Sequence, residues 1–337
     1  MSDRVVAVVG ATGAVGRSML SILEHSDFPL GSVRLMASAR SAGSVAETAW
    51  GDVVIEDLAE ADPSGIDIAL FSAGGDRSRQ FAPKFAAAGA VVIDNSSAFR
   101  MEAEVPLVVV GVNDDEIQDH HGIIANPNCT TMTLMMAAAP LHRAAGLHSI
   151  HVASYQSVSG SGQQGVDELV AQMDRFRGDL GALMQGGWVD PQPTLYTRPI
   201  AFNVLPFAGT LTNEGYTDEE WKLVNESRKI LDAPDLLVEP TCVRVPVLVG
   251  HAVVATLRFE REMSPDEAVA LLEAAPGIDV WTDRAPTPLD AVGIDNVLVG
   301  RIRATVGEPG GINLWAVGDN LRKGAALNAI QIAELLV

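Results

Sequence analysis

Gly10-Ala11-Thr12-Gly13-Ala14-Val15-Gly16 follows the apolar run 5–9 and opens an amphipathic stretch, and no other segment restricts the fold as strongly. A strand that turns at once into a helix needs residues free of a Cβ at the turn. The same turn leaves backbone N–H groups at the start of the helix, where a dinucleotide pyrophosphate can rest. The spacing is Gly-x-x-Gly-x-x-Gly, a variant of the dinucleotide fingerprint. Glycines also serve strand-to-helix turns that bind nothing, so both readings stand at this point.

The rest of the first 128 residues fits that beginning. Short β-branched runs at 33–37, 66–71, 90–94, 107–110 and 122–125 alternate with helical stretches at 15–23 and 78–88, the second ending at Gly89. Near-continuous apolar strands separated by helices predict a parallel sheet covered on both faces. After residue 129 the pattern changes. A helix is expected over 130–145, a Ser/Gly-rich segment over 154–165, an amphipathic helix over 166–176 and a Gly/Pro-rich passage over 178–199. Further helices are expected at 217–231 and 264–274, with antiparallel-looking strands at 242–249 and 252–259. The last segment, 321–336, is helical by its periodic Leu327, Ile330 and Leu335. The class is α/β: a Rossmann-like doubly wound half followed by a second, α+β domain. A chain of 337 residues suits two domains of ~150.

Charge and cysteine usage narrow the function classes. Lys and Arg number 23 against 43 Asp and Glu, a net charge of −20 that repels phosphate backbones and anionic lipid. Nucleic acid and membranes are not expected partners, and an anionic ligand needs basic residues close by, since screening limits the reach of distant charge to ~8 Å. Two cysteines cannot build a disulfide framework. With no signal-like segment and no apolar run of spanning length, a cytoplasmic location is expected. The seven histidines do not pair at zinc spacing with the cysteines, so no metal site is expected.

Five segments are candidates for the chemistry. Asn126-Pro127-Asn128-Cys129-Thr130-Thr131 joins an apolar strand to a helix. A thiol at a helix start is favoured as thiolate by the dipole and lies near backbone N–H groups that can meet an oxyanion. The alternative is an inert buried cysteine, which is the reading for Cys242 inside Thr241-Cys242-Val243-Arg244. Asn95-Ser96-Ser97-Ala98-Phe99-Arg100 leaves the C-terminal end of another parallel strand, and Arg100 there suits either an anion or a salt bridge to the acidic stretch 102–104. The second strand ends Ala37-Ser38-Ala39-Arg40-Ser41, with an arginine where NAD enzymes carry a carboxylate, which favours NADP over NAD. Thr217-Asp218-Glu219-Glu220-Trp221-Lys222 reads as a capped helix start. Arg244 and His251 bracket a strand and its turn, and His251 is a candidate acid/base.

Taken in order along the chain, these motifs resemble aspartate-semialdehyde dehydrogenases. The resemblance includes Tyr155-Gln156-Ser157-Val158-Ser159-Gly160, Pro286-Thr287-Pro288, Val299-Gly300-Arg301 and Gly318-Asp319-Asn320-Leu321-Arg322-Lys323-Gly324. It implies reversible NADPH-dependent reduction of L-aspartyl 4-phosphate to L-aspartate 4-semialdehyde and phosphate, on the route to lysine, threonine and methionine. It implies Cys129 as nucleophile, Gln156 orienting the acyl intermediate, and His251 as acid/base. Arg244 is then expected on the substrate carboxylate, Glu219 on its amino group, and Arg100 and Lys222 on the phosphate. Gly10, Thr12, Gly13, Ala14, Val15, Arg40, Ser41, Ser159, Gly160 and Asn320 are expected to contact NADP.

The resemblance also implies a homodimer, an NADP-binding domain of residues 1–128 completed by 318–337, and a substrate-binding and dimerisation domain over 129–317. Two departures are visible: Ala252 follows His251 where serine is usual, and Ser44 stands where lysine is usual. Pro206-Phe207-Ala208-Gly209 belongs to a variable region. A sister family acting on N-acetyl-glutamyl phosphate resembles a His-Pro-Gly-Cys context, unlike Asn126-Pro127-Asn128-Cys129. A silent paralogue is the remaining alternative, against which Cys129, Gln156 and His251 stand together.

Overall fold

The computed structural model describes residues 3–187 and 195–337; the first two residues, and residues 188–194 of the Gly/Pro-rich passage, lie outside the described residues. The chain forms two compact units. The first holds residues 1–139, 225–234 and 321–337, and the second holds 140–224 and 235–320.

In chain order the first unit opens with β1 (Arg4–Val9), α1 (Ala14–His25), β2 (Leu30–Ala37), β3 (Val45–Thr48), β4 (Gly51–Asp57), β5 (Ile68–Phe71), α2 (Gly75–Ala87), β6 (Val91–Asp94), β7 (Ile123–Ala125) and α3 (Cys129–Ala145). The sheet order is β3-β4-β2-β1-β5-β6-β7, parallel throughout except for β3 against β4. Successive β1 residues feed opposite cores. Val6 and Val8 pack with Met19, Ile22 and Leu23 of α1, while Ala7 and Val9 pack with Phe81, Ala82 and Phe85 of α2. Period-2 alternation with both faces apolar is what the continuous run 5–9 requires of a doubly wound sheet. Phe71 and Phe85 meet edge to face at 5.1 Å between centroids, and truncating such a buried ring to alanine costs about 3–5 kcal/mol.

The chain reverses its progress across the sheet between β1 and β5, so the loops after these two strands flank the topological switch point, where α/β sheets bind ligands. Gly10 shows how closely those loops approach. Its φ is +89°, and a Cβ there would lie 2.2 Å from the carbonyl oxygen of Ser72. The strand expected at 107–110 is reduced to a single bridge, Leu107 to Ala125, because β7 supplies only three residues to pair with. The hairpin β3–β4 lies in a segment without a strong apolar run; its exposed Val45 and Val54 explain the weak signal.

The second unit continues with β8 (Leu147–Gln156), α4 (Gln163–Phe176), α5 (Leu180–Gln185), α6 (Asp218–Ile230), β9 (Leu237–Arg244), β10 (His251–Phe259), α7 (Pro265–Glu273), β11 (Ile278–Trp281), α8 (Pro288–Ala291), β12 (Val297–Ala304) and β13 (Ile312–Gly318). Residues 225–234 of the α6 region are counted with the first unit, as is α9 (Leu327–Glu334). The mixed sheet has the order β11-β12-β13-β10-β8-β9. The two strands expected to form an antiparallel pair are not neighbours: β8 lies between them, parallel to β9 and antiparallel to β10. The first of them also spans Leu237–Arg244 rather than 242–249. Ser264, expected as the first helical residue, instead caps α7 by accepting from the Glu267 N–H.

The register of this sheet decides what gathers at one end. Gln156 pairs with Arg244, Tyr155 with Ala252 and His251 with Gly318, so four adjacent strands bring Arg244, Gln156, His251 and Gly318 to one edge.

Candidate active site

In the first unit the candidate residues leave the carboxyl edge of the parallel sheet. The N-terminus of α1 follows Gly13, which caps it with no side-chain hydrogen bond, leaving its amides to backbone or ligand. Gly16 is pressed to the loop it follows, since a Cβ would meet the Gly10 carbonyl oxygen at 2.4 Å. A pyrophosphate fits such a cradle, where backbone rather than side chains forms the wall. Arg40 is exposed in the turn after β2 and makes no side-chain hydrogen bond among the described residues; Ser41 donates its N–H to the Ser38 carbonyl.

Cys129 is the first residue of α3 and is half-buried. Asn128 caps this helix, its Oδ1 accepting from the N–H groups of Thr130 at 2.9 Å and Thr131 at 3.2 Å. Those amides are therefore committed to the cap. Of the backbone N–H groups at this helix start, these two are thus engaged by the side chain of Asn128. The helix runs on through Pro140 to Ala145, buried from Met132 to Leu141.

Arg100 is buried and does not pair with the acidic stretch 102–104. Its Nε donates to the Asn126 carbonyl at 2.9 Å, Nη2 to the Asn95 carbonyl at 2.8 Å, and Nη1 to Glu226 at 2.9 Å. Three of the five N–H donors of a guanidinium are thus used to hold it, and two are left for a ligand. Lys229, one turn beyond Glu226, donates to the carbonyls of Arg100, Glu102 and Val105. Sequence reasoning passes over both residues. A signal exists: Glu-x-x-Lys occurs at Glu219/Lys222 and recurs seven residues later at Glu226/Lys229.

In the second unit Gln156, Arg244 and His251 are all buried at the shared sheet edge. Ser157 ties two of them together. Its N–H donates to His251 Nδ1 at 3.1 Å, and its carbonyl accepts from Arg244 Nη1 at 2.7 Å. A backbone N–H can only donate, so the neutral imidazole carries its proton on Nε2. Burial, with the Arg244 charge adding to it, pushes the ring's pKa down to about 3. Nε2 and Arg244 Nε are buried without a hydrogen-bond partner among the described residues. Gly160 keeps the space beside them open, since a Cβ on it would lie 2.9 Å from Arg244 Nη1 and 3.0 Å from His251 Nε2.

Asn320 is buried behind this pair. Its Oδ1 accepts from Gly250 N–H at 2.8 Å and from the hydroxyls of Ser157 and Ser159 at 3.1 and 3.2 Å. Gln156 donates to Ser154 Oγ at 3.2 Å. On α6, Glu220 completes a capping box with Thr217 and accepts from the Cys242 N–H, which explains it structurally. Lys222 donates to Glu219 at 2.8 Å and Asp218 at 2.9 Å; burial lowers its pKa, but the two carboxylates outweigh this and hold it above the ordinary lysine value. Cys242 is buried, and desolvation pushes its thiol far up, as expected of an inert core residue. No group of side chains among the described residues is arranged to hold a metal ion.

The chain thus combines a doubly wound, mostly parallel sheet with a second unit built on a mixed sheet. The model of the semialdehyde dehydrogenase NAD-binding domain matches residues 5–120, and that of the semialdehyde dehydrogenase dimerisation domain matches 138–323. The aspartate-semialdehyde dehydrogenase of Streptomyces akiyoshiensis is 54% identical, with 98% of each chain covered, and that of Mycolicibacterium smegmatis is 50% identical over the same shares. The crystal structure of aspartate semialdehyde dehydrogenase II from Vibrio cholerae superposes with a TM-score of 0.93 at 43% identity, covering 99% of this chain and 98% of its own. A second structure of that protein, complexed with ASA, gives 0.92 at 43% identity, covering 100% and 98%. The chain belongs to the aspartate-semialdehyde dehydrogenase family.

Proposed function

We propose that this chain reduces L-aspartyl 4-phosphate to L-aspartate 4-semialdehyde and phosphate, reversibly and with NADPH, as a cytoplasmic homodimer of the biosynthetic route to lysine, threonine and methionine. The observation that carries the reading is that the chain holds both a helix-start Cys129 behind a capping asparagine and a buried histidine whose Nε2 is unpartnered among the described residues. In the reductive direction Cys129 Sγ attacks the acyl carbon, the C–O bond to phosphate breaks, and a thioester forms on the cysteine. Bound NADPH supplies the hydride that the acyl carbon accepts. The oxygen then carries negative charge, and with the Thr130 and Thr131 amides committed to Asn128, the His251 Nε2–H is the donor assigned to it. Breaking the C–S bond releases the aldehyde and returns the thiolate.

The remaining assignments follow the charges of the substrate. An α-amino acid with a phosphate needs cationic groups at two points and an anionic one at the third. Arg244 is assigned to the carboxylate, Glu219 to the amino group, Gln156 to the acyl group, and Arg100 with Lys222 to the phosphate. Gly10, Thr12, Gly13, Ala14 and Val15 are assigned to the pyrophosphate, and Arg40 with Ser41 to the 2′-phosphate that distinguishes NADP. Ser159 and Gly160 are assigned to the cofactor; Asn320, whose Oδ1 is already used three times, acts through Ser157 and Ser159. We assign residues 1–128 with 318–337 to NADP and 129–317 to substrate and dimer formation.

The test is absorbance-monitored NADP reduction by the purified protein with L-aspartate semialdehyde, with and without inorganic phosphate. Phosphate-dependent NADPH formation is the expected result. No NADPH formation by protein that binds NADP overturns the reading.

A further inference from the structure

We propose that Glu226 is a positioning residue whose two carboxylate oxygens fix the phosphate-binding arginine and the nucleophile's loop relative to each other: Oε1 holds Arg100 and Oε2 holds the main chain of Asn128. The inference rests on the acyl-phosphate reading, because that reading gives Arg100 its ligand.

Glu226 is buried, with 1% of its surface exposed, and none of the chemical steps uses it. Oε1 accepts from Arg100 Nη1 at 2.9 Å, and Oε2 accepts from Asn128 N–H at 2.7 Å. Asn128 is the cap of the helix that begins at Cys129, and its side chain is oriented by two further bonds to Thr130 and Thr131. One carboxylate therefore sets both where the anion-binding fork points and where the thiol-bearing turn lies. The acceptors on the other edges of the arginine are main-chain carbonyls of Asn95 and Asn126, and Asn126 is itself held by Asn95 and Asn328. Lys229 adds a second point on the same helix by clamping the carbonyls of Arg100, Glu102 and Val105.

A purely electrostatic partner for Arg100 lies closer at hand. Glu102 and Glu104 are two and four residues away, yet the pair forms with a carboxylate 126 positions along the chain. The difference is chemical. A surface glutamate would leave the guanidinium free to swing, whereas a buried carboxylate with its second oxygen on a main-chain amide cannot move without moving the loop. Charge-assisted bonds of this kind are short and directional. The attacking sulfur must approach within near-contact distance of an acyl carbon whose leaving group Arg100 grips, so an error in their separation enters the rate directly.

The experiment measures phosphate-dependent NADP reduction and Cys129 alkylation by iodoacetamide in Glu226→Gln, with Glu226→Asp beside it. Glu226→Gln keeps the shape but offers an NH2 group to one of two donors. The expected result is a KM for phosphate raised about tenfold or more, together with a Cys129 alkylation rate changed about threefold or more, while NADP affinity stays within about twofold. Glu226→Asp keeps the charge and is expected to restore the phosphate KM in part, which also covers the case that Glu226→Gln does not fold. If both parameters stay within about twofold of wild type, or if only one of them moves, the shared anchor is refuted. Wild-type protein lacking phosphate-dependent activity would instead overturn the underlying reading of the function.

Discussion

The N–H of Ser157 donates to His251 Nδ1 while the carbonyl of the same residue accepts from Arg244, so one peptide segment orients two buried basic side chains at a single sheet edge. The consequence for His251 is a neutral ring with its proton on Nε2. Its pKa lies at about 3 against an ordinary 6.5, chiefly through burial and next through Arg244. Below pH 6.5 the unfolded chain takes up a proton that the folded chain refuses, so this contribution to stability is present above 6.5 and is lost as pH falls toward 3. Between pH 7.5 and 5.5 the loss from this one group is about 1 kcal/mol. Urea unfolding of wild type and His251→Gln at both pH values checks it: the variant should lose less stability on acidification, and equal losses would show that the ring is not buried as a neutral group.

Gly160 provides a separate handle on the same space. A methyl group there would lie 2.9 Å from Arg244 Nη1 and 3.0 Å from His251 Nε2, closer than carbon and nitrogen pack, while the backbone itself tolerates alanine. Gly160→Ala should therefore fold normally and lose about 100-fold in kcat/KM, or ~2.7 kcal/mol. Thermal melting and steady-state kinetics decide the matter. Unchanged kinetics would mean that no ligand uses the space that the glycine leaves.

Some of this is visible in the sequence, and the rest is hidden for physical reasons. The Gly10 loop and the Cys129 turn are legible because each is a local pattern: a strand, a tight turn and a helix within about fifteen residues. Thr217 is legible as a cap for the same reason. The role of Ser157 is not, because its main chain performs it, and any residue carries a main-chain N–H and carbonyl, proline's missing N–H aside. The partner of Arg100 is hidden by distance along the chain; charge composition points to 102–104, and only the fold brings Glu226 into reach. The neighbours of β9 and β10 escape sequence reading because a short apolar run states its direction poorly and its register not at all.

The two cysteines should separate cleanly by reactivity. Cys129 is half-buried at a helix start, whereas Cys242 is fully buried with its thiol pushed up by desolvation. Native protein at about pH 7.5 should take up one equivalent of iodoacetamide quickly, and Cys129→Ala none. The same variant should lose turnover by about 10⁴-fold while binding NADP as wild type does, since removing a nucleophile leaves binding intact. Equal activity in the two proteins would exclude a thioester on Cys129.

Arg40 is the residue on which the proposed preference for NADP can be tested. It follows β2 in an exposed turn, where the side chain has no hydrogen-bond partner among the described residues and no acidic residue occupies positions 38–43. A guanidinium at that place can meet a 2′-phosphate with two parallel bonds, and a carboxylate would instead meet the two ribose hydroxyls of NAD. Arg40→Glu should weaken NADP binding by about tenfold or more, the scale of replacing one charge-assisted bond by a repulsion, and should leave NAD binding unchanged or improved. Fluorescence titration with both nucleotides measures this directly. If the ratio of the two affinities does not change, the 2′-phosphate is recognised elsewhere, and Ser41 becomes the residue to replace next.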